Sequence, residues 1–430
     1  MGKSDGFLPI PRYNTLVVNV LYRFLVGLRW LFLSCRLGAF LHNLFYYIVW
    51  SLSFPSAHDR RLMTALLTSL SVNNQSTYEW QRKIYTSAPK VWQHYLRSSF
   101  ILKRFIGFFR RRRLQKAGHV VPSLLMVSPS SPGSGCNLSC AHCYANAHAD
   151  ATLPIDVFRK LLIEQEELGI FAVMVSGGEP LMYEGMLDLF QEFPDTSFQV
   201  FTNGTLVTEE IAEILADLGN AVLTFSIEGF EEETDRIRGQ GVFGKVLNAV
   251  EYCRKERLVY GATITVTRNN FAEVVSERFM KFLEGLGCAY VNFSTYIAVG
   301  QSPHHDWEIS ANQAEQLDLF KENARLKYAM ITTVGKNGTA GVTGCFAGRQ
   351  YLHILPNGMA EGCPFVHLAD PTLNIQTNSI LELTGSPLFQ RLRELTALMV
   401  PGVVPCRASR YDKMAQFIAE VAISTEGGTN

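Results

Sequence analysis

Segments with strand and helix patterns alternate along residues 121–305. LPIDVFRKLLIEQEELGI has helical periodicity and is followed by the strand-like IFAVMVSGG. The alternation continues through QVFTNGT, IAEILADLGN and AVLTFSIEG, and it ends at AYVNFSTYI. Because parallel strands need a long crossover connection, this pattern predicts an α/β fold with a parallel sheet. We expect the sheet to curl into a partial (βα)6 TIM-like barrel.

The length and composition set the domain organisation. A chain of 430 residues, 47% of them hydrophobic, can bury a large core and has room for two or three domains. We expect a basic, apolar helical region at 1–120, the barrel at 121–305 and a small C-terminal domain at 306–430. Nine cysteines are too few for a secreted disulfide scaffold of this length. Their tight local spacing favours metal ligation in a reducing, cytoplasmic compartment.

Three cysteines lie close together in GCNLSCAHCYAN, on the loop after the first predicted strand. They are Cys136, Cys140 and Cys143. Thiolates are the usual ligands of iron in clusters, and three of them can hold three corners of a cubane while the fourth iron stays open. Zinc is the alternative, because His142 lies within the spacing as a possible fourth ligand.

Polar motifs follow the next three predicted strands, at the edge where active residues of such barrels lie. The first is SGGEP, whose glycines let the backbone approach a ligand closely and whose Glu179 supplies charge. TNGT and SIEG end the following two strands, and Asn203 and Ser226 in these motifs can form hydrogen bonds to a ligand. Taken singly, each motif is also typical of a turn.

The C-x3-C-x2-C spacing followed by Tyr144 resembles the signature of the radical S-adenosylmethionine (SAM) superfamily, and the resemblance covers about residues 122–410. In that family the amino and carboxylate groups of SAM chelate the open iron. One electron splits the sulfonium into methionine and a 5′-deoxyadenosyl radical, which abstracts hydrogen from the substrate. The resemblance implies an enzyme with a [4Fe–4S] cluster and SAM as cofactors, and a flavodoxin- or ferredoxin-type electron donor.

The resemblance also implies a set of SAM contacts. Arg238 would pair with the methionyl carboxylate, and Arg236 is the competing choice. Glu228 stands where many relatives have Asp, so its contact with the ribose would use a longer side chain. Thr265 and Val266 would line the adenine. The expected SAM-binding residues are Tyr144, Ser176, Gly177, Gly178, Glu179, Pro180, Asn203, Ser226, Glu228, Arg238 and Val266.

A second cysteine set follows the barrel and consists of Cys345, Cys363 and Cys406. Its spacing resembles the SPASM extension, or the shortened twitch form, in which thiols hold an auxiliary iron–sulfur cluster. The full extension carries four closely spaced cysteines where this chain has only Cys406, so the resemblance implies one auxiliary [4Fe–4S] cluster with three thiol ligands. Gly358 would form a hairpin turn within the motif. Buried cysteines without metal are the alternative.

Other cysteines and histidines stand apart from these motifs. Three cysteines in apolar segments have no ligand spacing and are expected to be packing residues: Cys35, Cys253 and Cys288. Three histidines are expected to be surface groups: His148, His304 and His305. A loop at the barrel rim could recruit His304 or His305 for proton transfer. The sequence does not identify the catalytic acid or base.

The first 120 residues are strongly basic, with 18 Lys and Arg against 3 Asp and Glu. Arg23, Arg29 and Arg36 recur at roughly helical intervals among apolar runs, which favours helices lying in a membrane interface. FILKRFIGFFRRRRLQK would attract anionic lipid headgroups. We therefore expect a peripheral or monotopic protein on the cytoplasmic membrane face. Core helices of an all-α domain and a docking face for a partner protein are the alternatives, and no motif that reads nucleic acid lies nearby.

Together these features predict a radical SAM enzyme whose substrate class is open. The expected membrane association of residues 1–120 favours hydrogen abstraction from a lipid or another apolar molecule. SPASM-type tails are most familiar from peptide and protein maturation, so a crosslink or oxidation of a peptide side chain is the alternative. A nonenzymatic iron–sulfur carrier or membrane scaffold is a third hypothesis, and it predicts no cleavage of SAM.

Overall fold

The computed structural model describes residue 88 and residues 98–145, 150–300, 302–332, 347–349, 351–365 and 367–397. Several sequence-based predictions lie outside these residues. They are the interfacial helices before residue 98, the histidine His148, and the cysteines Cys35, Cys345 and Cys406.

The described residues contain one ten-stranded sheet in the order β10-β9-β8-β1-β2-β3-β4-β5-β6-β7. Strands β1 to β7 are parallel, β8 pairs parallel to β1, and β9 and β10 are antiparallel. The strands are β1 Leu124–Val127, β2 Ala172–Val175, β3 Ser197–Thr202, β4 Ala221–Ser226, β5 Tyr260–Val266, β6 Tyr290–Thr295, β7 Ile331–Thr332, β8 Tyr351–Ile354, β9 Met359–Glu361 and β10 Ala369–Asn374.

Helices connect the parallel strands, as the alternating pattern predicted. They are α1 Ser98–Lys116, α2 Pro132–Gly135, α3 Ile155–Glu167, α4 Met186–Glu192, α5 Glu209–Leu218, α6 Glu231–Arg238, α7 Val242–Lys255, α8 Phe271–Val274, α9 Glu277–Gly285, α10 Ala311–Lys327, α11 Ile380–Gly385 and α12 Pro387–Ala397. Among these described helices, none combines the length and the apolar composition needed to cross a bilayer.

Side chains alternate between the two faces of the sheet. On β5, Ala262, Ile264 and Val266 are fully buried in the hydrophobic core, which the helices complete. Ile264 and Val266 each contribute roughly 1.5–3 kcal/mol through burial. Thr263 and Thr265 point the other way, into a cavity enclosed by the sheet. Cys253 and Cys288 are buried in the core, as the sequence predicted.

The C-terminal segment continues the barrel sheet. Strand β8 forms hydrogen bonds with the edge of β1 that does not pair with β2. Gly358, with a φ of 84°, lies in the turn between β8 and β9, as predicted. The pair α10 and β7 adds a further repeat beyond residue 305. Strand β7 forms its hydrogen bonds with β6, and the domain boundary between residues 305 and 306 stays a prediction.

Helix α1 contacts the barrel through arginines that the sequence had suggested for lipid binding. Arg110 donates to the carbonyl of Glu167, and the buried Arg111 donates to that of Gly169. These carbonyls lie at and just beyond the C-terminus of α3, where a helix carries partial negative charge. These two guanidinium groups are therefore used within the protein, and the attraction of the whole segment to lipid headgroups stays a prediction.

Replacing Arg111 with alanine should lower the free energy of unfolding by about 1–3 kcal/mol, because a buried carbonyl loses a charged donor. Denaturant unfolding of the full chain measures the change. Arg112, exposed on the same helix, is the matched control, and Arg112→Ala should change stability by less than about 0.5 kcal/mol. Equal effects of the two substitutions would show that the contact with the barrel does not stabilise the protein.

Candidate active site

A cavity of about 350 Å³ opens at the C-terminal ends of the parallel strands. The loop after β1 and the loop after β2 form one wall, and residues of β5 and β6 form the opposite wall. The C-terminal segment contributes Tyr351, Pro364 and Phe365. The cavity therefore lies where parallel barrels concentrate their functional residues.

All three clustered thiols line this cavity, on a loop that is only partly buried. The Cys143 amide donates to the carbonyl of Cys140 at 3.2 Å, and the Ala141 amide donates to that of Ile237 at 3.1 Å. Burial raises the pKa of Cys136 and of Cys140. The thiolate forms therefore need a cation, and the irons of a cluster would supply it. Three soft donors at the mouth of a large cavity fit a cluster with one open iron.

His142 does not join the thiols as a ligand. Its Nε2 atom lies 3.0 Å from Oε1 of Glu228, and its side chain is buried. Among the described residues, no three His, Cys, Asp or Glu side chains are placed to bind one metal ion. The arrangement therefore does not favour the zinc alternative.

The SGGEP loop packs directly against the thiol loop. The Gly178 amide donates to the carbonyl of Ser130 at 2.8 Å, and the Glu179 amide donates to that of Gly135 at 2.7 Å. A Cβ atom on Gly178 would lie 2.2 Å from the Gly135 oxygen, and one on Gly177, where φ is 101°, would lie 2.7 Å from the Ser130 oxygen. Glycine is therefore required for the two backbones to meet.

The Glu179 side chain connects two rim motifs. Its carboxylate accepts hydrogen bonds from the Thr202 hydroxyl at 2.7 Å and from the amides of Asn203 at 2.7 Å and Leu181 at 3.2 Å. Burial raises its pKa, and these donors oppose the shift. Pro180, in contrast, is buried in a short 3₁₀ turn and does not line the cavity. The contact of Pro180 with SAM stays a prediction.

Asn203 and Ser226 both line the cavity but differ in their bonds. The Asn203 amide group donates to Oδ1 of Asn137 at 2.8 Å and accepts from the amide of Thr205 at 2.9 Å. This side chain therefore ties the rim to the thiol loop. Among the described residues, none forms a hydrogen bond with the Ser226 hydroxyl, which is therefore available to a ligand.

Arg238 rather than Arg236 reaches the cavity. Arg236 pairs with Glu233 at 2.6 Å and lies 5.4 Å from the Trp307 ring centre. The Arg238 guanidinium is buried, pairs with Glu228, and has its Nη1 atom 3.8 Å from Sγ of Cys140. Burial lowers the pKa of Arg238, but the negative charge on Glu228 and on the neighbouring thiols outweighs this and raises it.

Two residues expected to contact SAM do not line the cavity. Glu228 is fully buried and does not line it, because Arg238, His142 and the Thr265 amide occupy its carboxylate. Burial alone would raise its pKa, but these groups outweigh burial and hold it at about 2. Val266 faces the helices, since it alternates with Thr265 along the strand. Neither residue lines the cavity, and their contacts with SAM stay predictions.

Tyr144 closes one side of the cavity. Its hydroxyl donates to Ser176 Oγ at 3.3 Å, and its ring centre lies 5.4 Å from that of Phe365. Burial raises the pKa of Tyr144 to about 12. The phenol is therefore neutral at physiological pH and acts as a hydrogen-bond donor.

The sequence analysis missed a buried polar cluster beside this wall. Nε2 of His353 lies 2.8 Å from Ser128 Oγ, which lies 3.3 Å from Ser176 Oγ. Nδ1 of His353 lies 3.3 Å from the buried carboxylate of Glu361. Polar residues at matching inward positions of a hairpin, HILPNGMAE, were the signal that could have revealed it.

The remaining candidates lie elsewhere. Cys363 is buried after β9 and does not line the cavity, although the next two residues do. His304 stacks on Trp307 with ring centres 4.2 Å apart, and His305 is exposed. Neither histidine lines the cavity, so the structure does not support their recruitment for proton transfer.

Comparison with known proteins identifies this arrangement. The Radical SAM superfamily matches residues 130–294, which contain the thiol loop and the rim motifs. Residues 130–294 form a radical SAM superfamily domain. As a radical SAM enzyme the protein uses a [4Fe–4S] cluster and SAM, and the prediction of this chemistry from the sequence is confirmed. The hypothesis of a nonenzymatic carrier is set aside.

Relatives of this radical SAM enzyme differ in their substrates. It is 29% identical over 294 residues to an AdoMet-dependent heme synthase of Methanosarcina barkeri, a match that covers 61% of the chain and 82% of the relative. It is 27% identical over 263 residues to the sporulation killing factor maturation protein SkfB of Bacillus subtilis, covering 59% and 63%. The match leaves over a third of SkfB uncovered.

A solved structure shows the same fold. Streptococcus suis SuiB superposes with a TM-score of 0.56 at 15% sequence identity, and the match covers 67% of this chain and 72% of SuiB. The α/β fold with a parallel-rich sheet expected from the sequence is confirmed.

Proposed function

We propose that Cys136, Cys140 and Cys143 hold the [4Fe–4S] cluster at the mouth of the cavity. When one electron is delivered, the bound cluster and SAM supply a 5′-deoxyadenosyl radical. Arg238 would bind the methionyl carboxylate, and the Ser226 hydroxyl would donate a hydrogen bond to SAM. Cys363, with Cys345 and Cys406, would hold the auxiliary cluster. Support comes from the thiols and polar groups that line one cavity.

We further propose that the substrate is a peptide or protein side chain. The observation that carries this proposal is a polar strip on the cavity wall formed by β5 and β6. Thr263 pairs with Asn292 across the strands, and Thr265 pairs with Ser294. The Asn292 amide donates to the hydroxyls of Thr263 at 3.3 Å and Ser294 at 3.2 Å.

This strip supports a peptide rather than a lipid among the two substrate classes raised by the sequence. An acyl chain against it would leave hydroxyl groups and an amide oxygen desolvated without partners, at a cost of about 1–3 kcal/mol each. A peptide brings amide donors and acceptors that can pair with them. A solved structure of SuiB contains a bound precursor peptide, SuiA, which is consistent with this choice. The lipid hypothesis therefore becomes the alternative.

Fractionated extract of the source organism should separate these substrate classes. The reconstituted, reduced enzyme is given SAM with a peptide and protein fraction, a lipid fraction or a small-molecule fraction that includes tetrapyrroles. We expect the peptide and protein fraction to increase 5′-deoxyadenosine formation at least about tenfold, because productive substrate binding excludes water and orients the reacting groups. Protease treatment of that fraction should remove the increase.

The Cys140→Ala variant gives the background for every fraction. Stimulation by the lipid fraction that survives protease treatment would reject the peptide and support the lipid hypothesis. Stimulation by the small-molecule fraction alone would instead favour a tetrapyrrole, the class suggested by the heme synthase relative.

A further inference from the structure

The carboxylate of Glu228 is surrounded by hydrogen-bond donors behind the cavity wall. Its Oε1 atom accepts from Nε of Arg238 at 2.9 Å and lies 3.0 Å from Nε2 of His142. Its Oε2 atom accepts from the Thr265 amide at 2.8 Å. Both oxygens are therefore used within the protein, and neither faces the cavity.

We propose that Glu228 is a positioning residue that fixes Arg238 for the SAM carboxylate, and that it does not itself contact SAM. The proposal deepens the proposed function and rests on the cluster being held by Cys136, Cys140 and Cys143. A contact with the ribose would require Glu228 to give up these donors.

The backbone of Glu228 is held as firmly as its side chain. Its amide donates to the Thr234 hydroxyl at 3.2 Å, and its carbonyl accepts from the amide of Asn270 at 2.8 Å. The same Asn270 amide group donates to the carbonyl of Thr265 at 2.9 Å. The carboxylate therefore extends from a fixed backbone, and its orientation is set by its own three partners.

This anchoring determines which edge of the Arg238 guanidinium faces the cavity. Nε and Nη2 of the guanidinium pair with Glu228, and Nη1 remains on the side of the cavity, near Cys140. A guanidinium held by one edge loses less conformational freedom when a second carboxylate binds the other edge. Glu228 therefore prepares Arg238 for the carboxylate of SAM.

The side-chain length of glutamate suits this task. The three neighbours of the carboxylate, Arg238, His142 and the Thr265 amide, are all donors. A glutamine cannot accept from all of them, because its NH₂ group is itself a donor and would face either the Thr265 amide or Arg238. An aspartate keeps the charge, but its shorter side chain cannot reach all three donors from the same backbone. Both substitutions should therefore release Arg238.

The chain offers a matched control on the same helix. Glu233 and Arg236 form an ion pair of the same chemistry, but Arg236 is partly exposed and the pair lies away from the cavity. Glu233→Gln should therefore leave SAM binding unchanged. This comparison separates loss of charge on helix α6 from loss of the anchor for Arg238.

The test uses the full chain with its clusters reconstituted anaerobically. The variants are Glu228→Gln, Arg238→Gln, the double variant with both changes, Glu228→Asp and the control. Iron and sulfide content is measured first. The dissociation constant of SAM is then measured by equilibrium dialysis, and the EPR spectrum of the reduced cluster is recorded with and without SAM.

We expect Glu228→Gln to weaken SAM binding about tenfold, the effect of losing a pre-ordered side chain, and Glu228→Asp to weaken it less. Arg238→Gln should weaken it at least as much as Glu228→Gln. The double variant should bind SAM no more weakly than Arg238→Gln alone does, because Glu228 affects SAM binding only through Arg238. The EPR change on adding SAM should diminish in the same order.

Additive losses in the double variant would overturn the proposal and make Glu228 a direct ligand. Wild-type affinity in Glu228→Gln would overturn it as well. The unpaired Arg238 could prevent Glu228→Gln from folding. In that case the dissociation constant of SAM is compared between the double variant, which lacks both charges, and Arg238→Gln. Weaker binding by the double variant would again make Glu228 a direct ligand. A wild-type protein without a SAM-responsive cluster would refute the proposed function, and the role of Glu228 would fall with it.

Discussion

Replacement of Cys140 with alanine should reduce 5′-deoxyadenosine formation by at least about a hundredfold. Loss of a hydrogen-bonding group around a metal ligand already costs 10–100-fold in affinity or activity, and the thiol itself is a ligand. Reconstitution with iron and sulfide, reduction and addition of SAM, followed by chromatography of the nucleosides, measures the effect. Iron and sulfide should fall by about half, because the proposed auxiliary cluster does not use this thiol.

Cys253→Ala provides the control for this substitution. Cys253 is buried in α7, away from the cavity, so its loss removes a thiol without removing a ligand. This variant should keep the wild-type iron content and 5′-deoxyadenosine formation. Undiminished SAM cleavage by Cys140→Ala would contradict the assignment of the three thiols, and equal losses in both variants would point to a general effect on folding.

The sequence could predict the thiol site because its chemistry is local. Cys136, Cys140 and Cys143 lie within one loop, so their spacing already brings them close together. The close packing of the SGGEP loop could be predicted because glycine is needed where two backbones approach each other closely. Gly178 and Gly135 make such an approach. Alternation of strands and helices likewise predicted the parallel sheet.

The orientation of single side chains was harder to predict. Whether Val266 faces the cavity or the helices depends on the register of β5 within the sheet, and a shift of one residue reverses the answer. Glu228 looked like a ligand because it follows a strand at the rim. Its partners Arg238 and His142 come from separate segments, and only the folded chain brings them to its carboxylate.

The C-terminal boundary shows a similar limit. The cysteine spacing did not indicate that the hairpin of β8 and β9 continues the barrel sheet through the edge of β1. This pairing joins Met126 to His353, residues more than two hundred positions apart. Backbone groups form the hydrogen bonds at the edge of a sheet, so the order of side chains in the sequence indicates little about this pairing.

Gly178→Ala should impair the site as severely as loss of a thiol. The new Cβ atom would lie 2.2 Å from the Gly135 oxygen and 3.1 Å from the Ser131 oxygen, and both of these are backbone atoms. The SGGEP loop would have to move away from the thiol loop and would lose the hydrogen bonds of the Gly178 and Glu179 amides. Overpacking of this kind costs about 1–3 kcal/mol, and each lost hydrogen bond adds about 1 kcal/mol.

We expect Gly178→Ala to lower 5′-deoxyadenosine formation at least about a hundredfold and to lower the free energy of unfolding of the cluster-free protein. Gly244→Ala is the control, because a Cβ atom added to this exposed glycine in α7 would meet no atom within 4 Å, and alanine there should stabilise the helix by up to about 1 kcal/mol. Wild-type SAM cleavage by Gly178→Ala would show that the two loops can separate without cost. The close contact of their backbones would then not be what positions SAM beside the cluster.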